Sequence, residues 1–295
     1  MIIVITGPTG VGKTKLSVEL AKKYNAEIIN ADSVQVYKGL NIGSAKITEE
    51  EKENIPHHLF DIREVDEEYS IYNYQSDCRK LIDEIASRNK NVILVGGTGL
   101  YIKSALYDYT LDENKHNEEY EDRTTEELYQ ELIKLDNDID IDRYNRRRVV
   151  RALNYYKETG KSIKENNNGN KLLYDAIFIG LTMDDRNKLY ERINNRVDKM
   201  IEMGLVDEVK SFYDKGIKTK PLLSAIGYKE LYQYFDGIIT YEEAIDLIKK
   251  NSRRYAKRQY TFFNHQFNMK WFNVDINNFN KTINEVEIYL NKEVE

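Results

Sequence analysis

A glycine-rich segment near the N-terminus restricts the fold of this chain more than any other feature. It reads Gly-Pro-Thr-Gly-Val-Gly-Lys-Thr at residues 7–14, directly after the apolar run Ile2–Thr6. The pattern G-x-x-x-x-G-K-[ST] surrounds phosphate oxygens with backbone N–H groups, a lysine and a hydroxyl when it joins a strand to a helix. Lys13–Tyr24 has helical spacing, with apolar residues on one face. The segment therefore predicts a phosphate-binding P-loop.

Alternating strand and helix patterns extend this loop into a larger core. Glu27–Asn30 and Asn91–Val95 have the pattern of short buried strands, and Ser70–Arg88 between them has helical spacing. Tyr174–Leu181 is a further strand, and most of the chain beyond it is helical. Such alternation is typical of a parallel sheet covered by helices. We predict an α/β fold with a P-loop NTPase-like core.

The middle of the chain has a different composition. Residues 108–140 are acidic and polar, Asp142–Glu158 has a stronger helical pattern that stops at Gly160, and residues 161–171 are a polar, Asn-rich linker. This middle part predicts an α-helical insertion. The predicted division is residues 1–105 as the first part of the core, 106–172 as the insertion, and 173–295 as the second part of the core with the C-terminal helices.

The composition excludes several classes of protein. Cys78 is the single cysteine, which excludes a disulfide framework and suits a reducing compartment. No apolar run approaches the roughly 18 residues of a membrane helix. The net charge of −6 argues against a protein that coats nucleic acid, but it allows a local basic groove. We expect a cytoplasmic protein without membrane contact.

The second apolar strand ends without an acid. Kinases and NTPases of the P-loop type usually place a carboxylate there to complete a Mg²⁺ site. Here Asn91–Val95 is followed by Gly-Gly-Thr-Gly-Leu-Tyr at residues 96–101, and Asp61 is a poor substitute. This absence weakens the interpretation as a kinase without removing it.

Asp32 follows the predicted strand Glu27–Asn30. Side chains at the carboxyl edge of a parallel sheet lie where α/β proteins bind their ligands. A carboxylate there can accept a proton or bind Mg²⁺ through water, and Ser33 and Gln35 can contact a base edge. From the residues alone, an Asp and a Ser that cap a loop–helix junction are an equally good explanation.

Seven segments together resemble the tRNA dimethylallyltransferase family. In chain order they are residues 7–14, 32–46, 56–61, 96–101, 147–153, 225–228 and 256–259. They are distributed over most of the chain, from residue 7 to residue 259, in the order found in the family. One departure lies before the arginine-rich helix, where the family often has His-Pro-Asn and this chain has Ile-Asp-Arg-Tyr-Asn at residues 141–145.

The resemblance implies that dimethylallyl diphosphate, and not ATP, occupies the P-loop. Asp32 would be the general base that takes a proton from the adenine amine, Thr98 would lie near the reacting groups, and Arg196 would contact the diphosphate. The residues implied to bind the diphosphate are Gly7, Pro8, Thr9, Gly10, Val11, Gly12, Lys13 and Thr14. Thr14 would also hold Mg²⁺.

The resemblance also implies an RNA partner, the anticodon stem–loop of tRNA. The residues implied to contact it are Asp32, Ser33, Val34, Gln35, Arg147, Arg148, Val149, Val150, Arg151, Ser224, Gly227, Tyr228, Lys229, Arg254, Lys257 and Arg258. The charge pattern supports this partner independently: Arg143, Arg147 and Arg151 recur at helical spacing, which predicts one basic helix face.

The expected reaction is transfer of dimethylallyl to N6 of the adenine 3′-adjacent to the anticodon, by a monomer. Three alternatives stay open. An adenylate isopentenyltransferase would act on free nucleotide but would need neither basic helix. A P-loop small-molecule kinase would need ATP and an acid for Mg²⁺. In a non-catalytic nucleotide-binding switch, Asp32 would be incidental.

Overall fold

The computed structural model describes residues 1–109, 120–165 and 169–294, which belong to two compact units. Unit 1 comprises Met1–Leu106 and Leu173–Glu295, and unit 2 comprises Tyr107–Leu172. The boundaries predicted from composition lie within one residue of these. Parts of the predicted insertion, residues 110–119 and 166–168, lie outside the described residues.

Unit 1 is built on one parallel sheet. Its strands are β1 (Ile2–Thr6), β2 (Ala26–Asn30), β3 (His57–His58), β4 (Asn91–Val95), β5 (Ala176–Thr182) and β6 (Lys270–Asn273). Their spatial order is β3-β2-β4-β1-β5-β6, and every neighbouring pair is parallel. β1 and β2 are buried along their whole length, as expected for strands covered on both faces. The predicted α/β fold is confirmed.

The helices of the described residues are numbered in chain order. They are α1 (Lys13–Lys23), α2 (Glu49–Lys52), α3 (Ile71–Ser87), α4 (Gly99–Leu106), α5 (Thr125–Leu135), α6 (Arg146–Thr159), α7 (Arg186–Glu202), α8 (Leu205–Tyr213), α9 (Lys220–Ser224), α10 (Tyr228–Phe235), α11 (Tyr241–Gln266) and α12 (Phe279–Val294). Over this described part of the chain, none of them combines the length and apolar character needed to cross a membrane.

Each unit has its own hydrophobic core. In unit 1, side chains of α1, α7 and α12 pack with the sheet, for example Leu16, Ile193 and Val286. In unit 2, α5 and α6 pack on each other through fully buried leucines and a valine, among them Leu128 and Val149. The sheet of unit 1 is thus covered by helices, and the two layers share one apolar core.

The first turn of α6 differs from the prediction. Asn145 caps the helix by accepting a hydrogen bond from the N–H of Arg148, and Asp142 Oδ1 accepts one from the N–H of Tyr144. The helix therefore begins at Arg146, four residues later than predicted. Arg143 lies outside it, so the prediction that this arginine shares a helix face with the later ones was wrong.

Candidate active site

The P-loop joins β1 to α1 with a backbone that requires glycine. Gly7 has φ 136°, and a Cβ there would lie 2.2 Å from the carbonyl oxygen of Leu181 on β5. Gly12, which precedes α1, has φ 96° in the left-handed region. Both positions disfavour any other residue, because of the close approach at the first and the backbone strain at the second. The loop thus curves over the amino end of α1, the geometry that suits a bound anion.

Lys13 lies within the turn of this loop. Its Nζ donates to the carbonyl oxygens of Gly7 at 2.9 Å and Pro8 at 2.8 Å. Burial, followed by the positive charge of Arg196, lowers the pKa of Lys13 to about 7, although Asp32 opposes this shift. A bound anion would relieve both effects, because it would neutralise the two cations together.

Helix α7 brings two arginines to the outside of the loop. Arg196 Nη1 donates to Thr9 Oγ1 at 2.9 Å, and Arg192 Nε donates to the carbonyl oxygen of Gly10. Burial lowers the pKa of Arg196, the Asp32 carboxylate raises it, and Arg192 lowers it further. Arg196 was predicted at the diphosphate, and the structure places it against the P-loop from more than 180 residues away in sequence. No local pattern in the sequence signals this contact.

Asp32 lies just beyond β2 and lines the same cavity as Lys13 and Arg196. Its N–H donates to Asn30 Oδ1, and its Oδ1 accepts from the N–H of Val34, both at 2.9 Å. One carboxylate oxygen thus caps a turn. Within the described residues, Oδ2 makes no hydrogen bond, which leaves it to act on a ligand. The two readings of Asp32 are therefore compatible, because one oxygen serves each.

Thr98 connects the loops that follow β2 and β4. Its Oγ1 accepts from the N–H of Ser33 at 3.1 Å and donates to Ser33 Oγ at 3.3 Å. The packing is tight beside it, since a Cβ on Gly96 would lie 2.2 Å from the backbone of Ala31. Asp32 and Gln35 line the cavity. Among the described residues that line it, Ser33, Val34 and Thr98 are absent. Thr98 therefore fixes the loop that carries Asp32.

Gln259 on α11 belongs to the segment 256–259 that carries part of the family resemblance, but no role was predicted for it. Its Oε1 accepts from the N–H of Thr9 at 2.8 Å, and its Nε2 donates to the carbonyl oxygen of Gly97 at 3.1 Å. Only 5% of it is exposed. Tyr255, one turn earlier, also lines the cavity, and burial raises its pKa. In the sequence, Gln259 is one polar residue among the basic residues of this helix, and nothing there indicates that it is buried.

The cavity at this edge of the sheet has a volume of about 750 Å³, within the range of small-molecule sites. Its lining combines charged and apolar side chains. The polar part includes Lys13, Thr14, Asp32, Gln35, Arg196 and Gln259, and the apolar part includes Ile47 and Phe60. All belong to unit 1. A cationic loop, a carboxylate and apolar surface thus face one cavity.

The donor set can accommodate Mg²⁺ only together with a ligand. Thr14 is exposed and lines the cavity together with Asp32. In the described part of the chain, no three His, Cys, Asp or Glu side chains form a metal-binding cluster. Mg²⁺ typically takes one or two protein oxygens, with substrate phosphates and water completing its octahedron. A hydroxyl and a carboxylate beside a phosphate loop fit that pattern.

The predicted RNA contacts of unit 1 divide by exposure. Ser224, Arg254, Lys257 and Arg258 are exposed, and Lys229 is partly exposed. In contrast, Gly227 is buried and Tyr228 is 0% exposed, with its hydroxyl donating to Glu208. The structure therefore does not support direct contacts from Gly227 and Tyr228, because they face the protein interior.

The arginines of unit 2 fit the prediction better than its valines. Arg147, Arg148 and Arg151 are exposed on the first turns of α6, and Val150 is partly buried. Val149 is 0% exposed in the core of unit 2. A direct contact from Val149 is therefore excluded by its packing.

Comparisons with known proteins agree with these features. The family model described as IPP transferase matches residues 35–266. The tRNA dimethylallyltransferase of Anoxybacillus flavithermus is 49% identical over 299 residues, which span 98% of this chain and 96% of that protein. The crystal structure of the full-length tRNA isopentenylpyrophosphate transferase from Bacillus halodurans is 44% identical, with a TM-score of 0.78, and covers 99% of this chain and 95% of its own.

A eukaryotic dimethylallyltransferase acting on tRNA is more distant in sequence but similar in structure. It is 31% identical, with a TM-score of 0.88, over 99% of this chain and 79% of that chain. The resemblance carried by the sequence segments is thereby confirmed. The chain belongs to the IPP transferase family, whose named relatives are tRNA dimethylallyltransferases.

Proposed function

We propose that this chain transfers a dimethylallyl group from dimethylallyl diphosphate to N6 of the adenine 3′-adjacent to the anticodon in tRNA, releasing diphosphate. The observation that carries the proposal is one cavity lined by the P-loop cation Lys13, by Arg196 and by Asp32. It joins an anion site to a proton acceptor. The family relationship supports this reaction over the two enzymatic alternatives, since the relatives are named tRNA dimethylallyltransferases.

The P-loop side of the cavity would bind the diphosphate of the donor. Backbone N–H groups of residues 7–14, the Lys13 ammonium and the Arg196 guanidinium would stabilise the charge that develops as the allylic C–O bond breaks. The fragment that departs keeps the electron pair of that bond. Thr14 would hold Mg²⁺, which would supply further positive charge at the diphosphate. The protein therefore acts mainly by stabilising a leaving group and excluding water.

The Asp32 side of the cavity would receive the adenine. The N6 lone pair forms the new C–N bond, and the amine becomes acidic as that bond forms. Asp32 Oδ2 would then accept the proton, so that charge and atoms balance. The base has to leave its stack to enter such a cavity, which costs a few kcal/mol and less in a loop than in a duplex.

The RNA would be bound through exposed cations. Arg254, Lys257 and Arg258 lie on one stretch of α11, and a second set lies on α6 of unit 2. Lys and Arg at such positions contact phosphates and set the orientation of the RNA without reading its sequence. We propose that the anticodon stem–loop is the part recognised, and that the enzyme works as a monomer in the cytoplasm.

The test measures transfer of labelled dimethylallyl from its diphosphate to an anticodon stem–loop, with AMP and ATP as competing substrates. Label is expected in the stem–loop alone, and Asp32→Asn should reduce kcat/KM by about 10²–10⁴-fold, the usual contribution of a general base. Asp207→Asn is the matched control, because Asp207 is exposed on α8. Label in AMP, or turnover of ATP without transfer, would overturn the proposal.

A further inference from the structure

A partly buried hydrogen-bond network outside the reacting groups holds one loop of the cavity. Glu208 on α8 accepts hydrogen bonds from three consecutive backbone N–H groups, those of Asn41 at 3.1 Å, Ile42 at 2.8 Å and Gly43 at 3.1 Å. It also accepts one from the Tyr228 hydroxyl. Successive N–H groups of this kind form a nest that prefers an anion. Here the protein supplies the anion from its own helix.

The loop rests on Tyr228 as well as on Glu208. A Cβ on Gly43 would lie 2.4 Å from the Tyr228 ring, so the backbone at Gly43 packs directly on the aromatic face. Burial, together with the Glu208 charge, raises the pKa of Tyr228, which therefore stays a hydrogen-bond donor. The segment 41–43 is thus fixed from both sides, by hydrogen bonds and by packing.

The residues that follow in the same loop determine the orientation of Gln35. Gln35 Nε2 donates to the carbonyl oxygens of Ser44 at 2.9 Å and Ala45 at 3.3 Å. A side-chain amide has two N–H hydrogens, and both are used here. The opposite orientation would place Oε1 against two carbonyl oxygens. The loop therefore leaves Gln35 with an acceptor only.

This orientation has a consequence for the base. Gln35 lines the cavity, and within the described residues its Oε1 accepts no hydrogen bond. Pairing of a glutamine with adenine through two hydrogen bonds would require its N–H as well, and the loop already occupies that group. An acceptor alone suits the 6-amino group of adenine. It opposes the 6-oxo group of guanine, because two acceptors would then face each other without a proton.

We propose that Glu208 is a positioning residue for base discrimination. It fixes the loop 41–45, the loop fixes the Gln35 amide, and the exposed Oε1 favours a 6-amino purine over a 6-oxo purine. Tyr228 supports the same loop, which gives a buried residue of the predicted RNA-binding set an indirect role. This inference rests on the proposed function, since it takes the flipped base to enter this cavity.

The test compares the binding of two anticodon stem–loops that differ only in having adenine or guanine at the modified position. The guanine stem–loop is measured as a competitor of the labelled adenine stem–loop. In Glu208→Gln the new NH₂ group meets backbone N–H donors, so the loop shifts and Gln35 is released. The dissociation constant of the guanine stem–loop divided by that of the adenine stem–loop is the ratio of interest. It is expected to fall about tenfold, the effect of one mispaired polar contact.

Two further variants separate positioning from stability. Tyr228→Phe removes one hydrogen bond but keeps the ring, and it should lower the ratio by about two- to threefold. Asp207→Asn, on the same helix, should leave the ratio at the wild-type value. The KM for dimethylallyl diphosphate should stay unchanged in all three variants, because the hydrogen bonds of this network among the described residues involve no residue of the P-loop.

The outcomes distinguish this inference from the proposed function. If the wild type labels the stem–loop but Glu208→Gln weakens both RNAs equally, Glu208 only stabilises the fold and the inference is overturned. If Glu208→Gln does not fold, as judged by its thermal transition, an unchanged ratio in Tyr228→Phe overturns it. Absence of transfer by the wild type would instead refute the proposed function.

Discussion

Strand β2 has a buried or partly buried carboxylate near each end, and the two differ in their surroundings. Glu27 has a side chain that is 1% exposed, with Arg88 at 2.5 and 2.9 Å, Lys90 at 2.9 Å and His58 at 2.7 Å. These partners, Arg88 first, lower its pKa to about 2. Both carboxylate oxygens of Glu27 thus have cationic or polar partners, and the cluster connects β2 to neighbouring segments of the fold.

Just beyond the other end of β2, the balance is reversed. Lys13 and Arg196 are brought together by the P-loop and α7, and the one carboxylate that offsets them in both cases is Asp32. Burial lowers the pKa of both cations. The comparison shows how one sheet serves two purposes: a complete cluster stabilises the fold, and an incomplete cluster carries an electrostatic cost that an anionic ligand removes.

The largest effect that tests this comparison is expected from Lys13→Met. Transfer activity should fall about 10²–10³-fold, as when one hydrogen-bond donor to a developing negative charge is removed. The free protein should nevertheless unfold at a higher temperature at pH 6. The gain should be about 1–3 kcal/mol, since a pKa unit corresponds to about 1.4 kcal/mol and partial exposure reduces the effect.

The pH dependence of this gain follows from the pKa. In the folded protein the pKa of Lys13 is about 7, below the value of 10.5 for an unperturbed lysine. The cost is therefore fully present below pH 7 and disappears as the pH rises towards 10.5. Denaturant unfolding of the wild type and Lys13→Met should differ at pH 6 and converge near pH 10. A variant that is less stable at pH 6 would contradict the comparison.

A smaller effect is expected at the complete cluster. Glu27→Gln should lower the free energy of unfolding by about 2 kcal/mol at pH 7, less than for a fully buried pair because Arg88 is 44% exposed. The stability that Glu27 contributes is present above pH 4.5 and is lost as the pH falls towards 2. The free energy of unfolding, measured with urea between pH 3 and 7, should therefore rise more steeply with pH for the wild type than for the variant.

Glu84→Gln, an exposed change beside Arg88, is the control for this variant. It should be within about 0.5 kcal/mol of the wild type, as is usual for surface substitutions. The KM for dimethylallyl diphosphate should be unaffected in both. A raised KM in Glu27→Gln would show that the two ends of β2 are not independent.

The smallest effect concerns donor binding. The affinity for dimethylallyl diphosphate should weaken by up to about tenfold per unit as the pH rises above 7, because the free protein then loses the Lys13 proton that the anion needs. Lys13→Arg keeps its charge and should show a flatter profile. Titration calorimetry of both proteins from pH 6.5 to 8.5 measures the slopes, and parallel slopes would disprove the role of Lys13.

The fold and the P-loop were predictable because their signals are local. Ile2–Thr6, residues 7–14 and the helix after them are adjacent in sequence, and the structure matches all three. The two-residue strand β3 was missed, since His57 and His58 are too few to show alternation. The start of α6 was misplaced because Asn145 and not Asp142 caps it.

The contacts that complete the site are long-range, and this is why the sequence did not reveal them. Gln259 reaches Thr9 across 250 positions, and Glu208 reaches Ile42 across 166. Both are single polar residues on amphipathic helices, where one sequence offers no way to tell a partner from a solvated side chain. The family resemblance supplied the proposed roles of Asp32 and Arg196, and the structure supplied the residues that contact the same loops.

The Gln259 amide has a consequence for ligand binding at the two loops that it joins. It accepts from the N–H of Thr9 in the P-loop and donates to the carbonyl oxygen of Gly97, in the loop whose Thr98 holds Ser33. A ligand that accepts from the Thr9 N–H in place of Gln259 Oε1 also alters the hydrogen bond from Gln259 Nε2 to Gly97. If a ligand at the P-loop changes the affinity of the Gly97 side of the cavity for its own ligand, the reverse effect must have the same factor, because linkage between two binding equilibria is reciprocal. Gln259 is therefore the side chain through which the P-loop side and the Gly97 side of the cavity can influence each other.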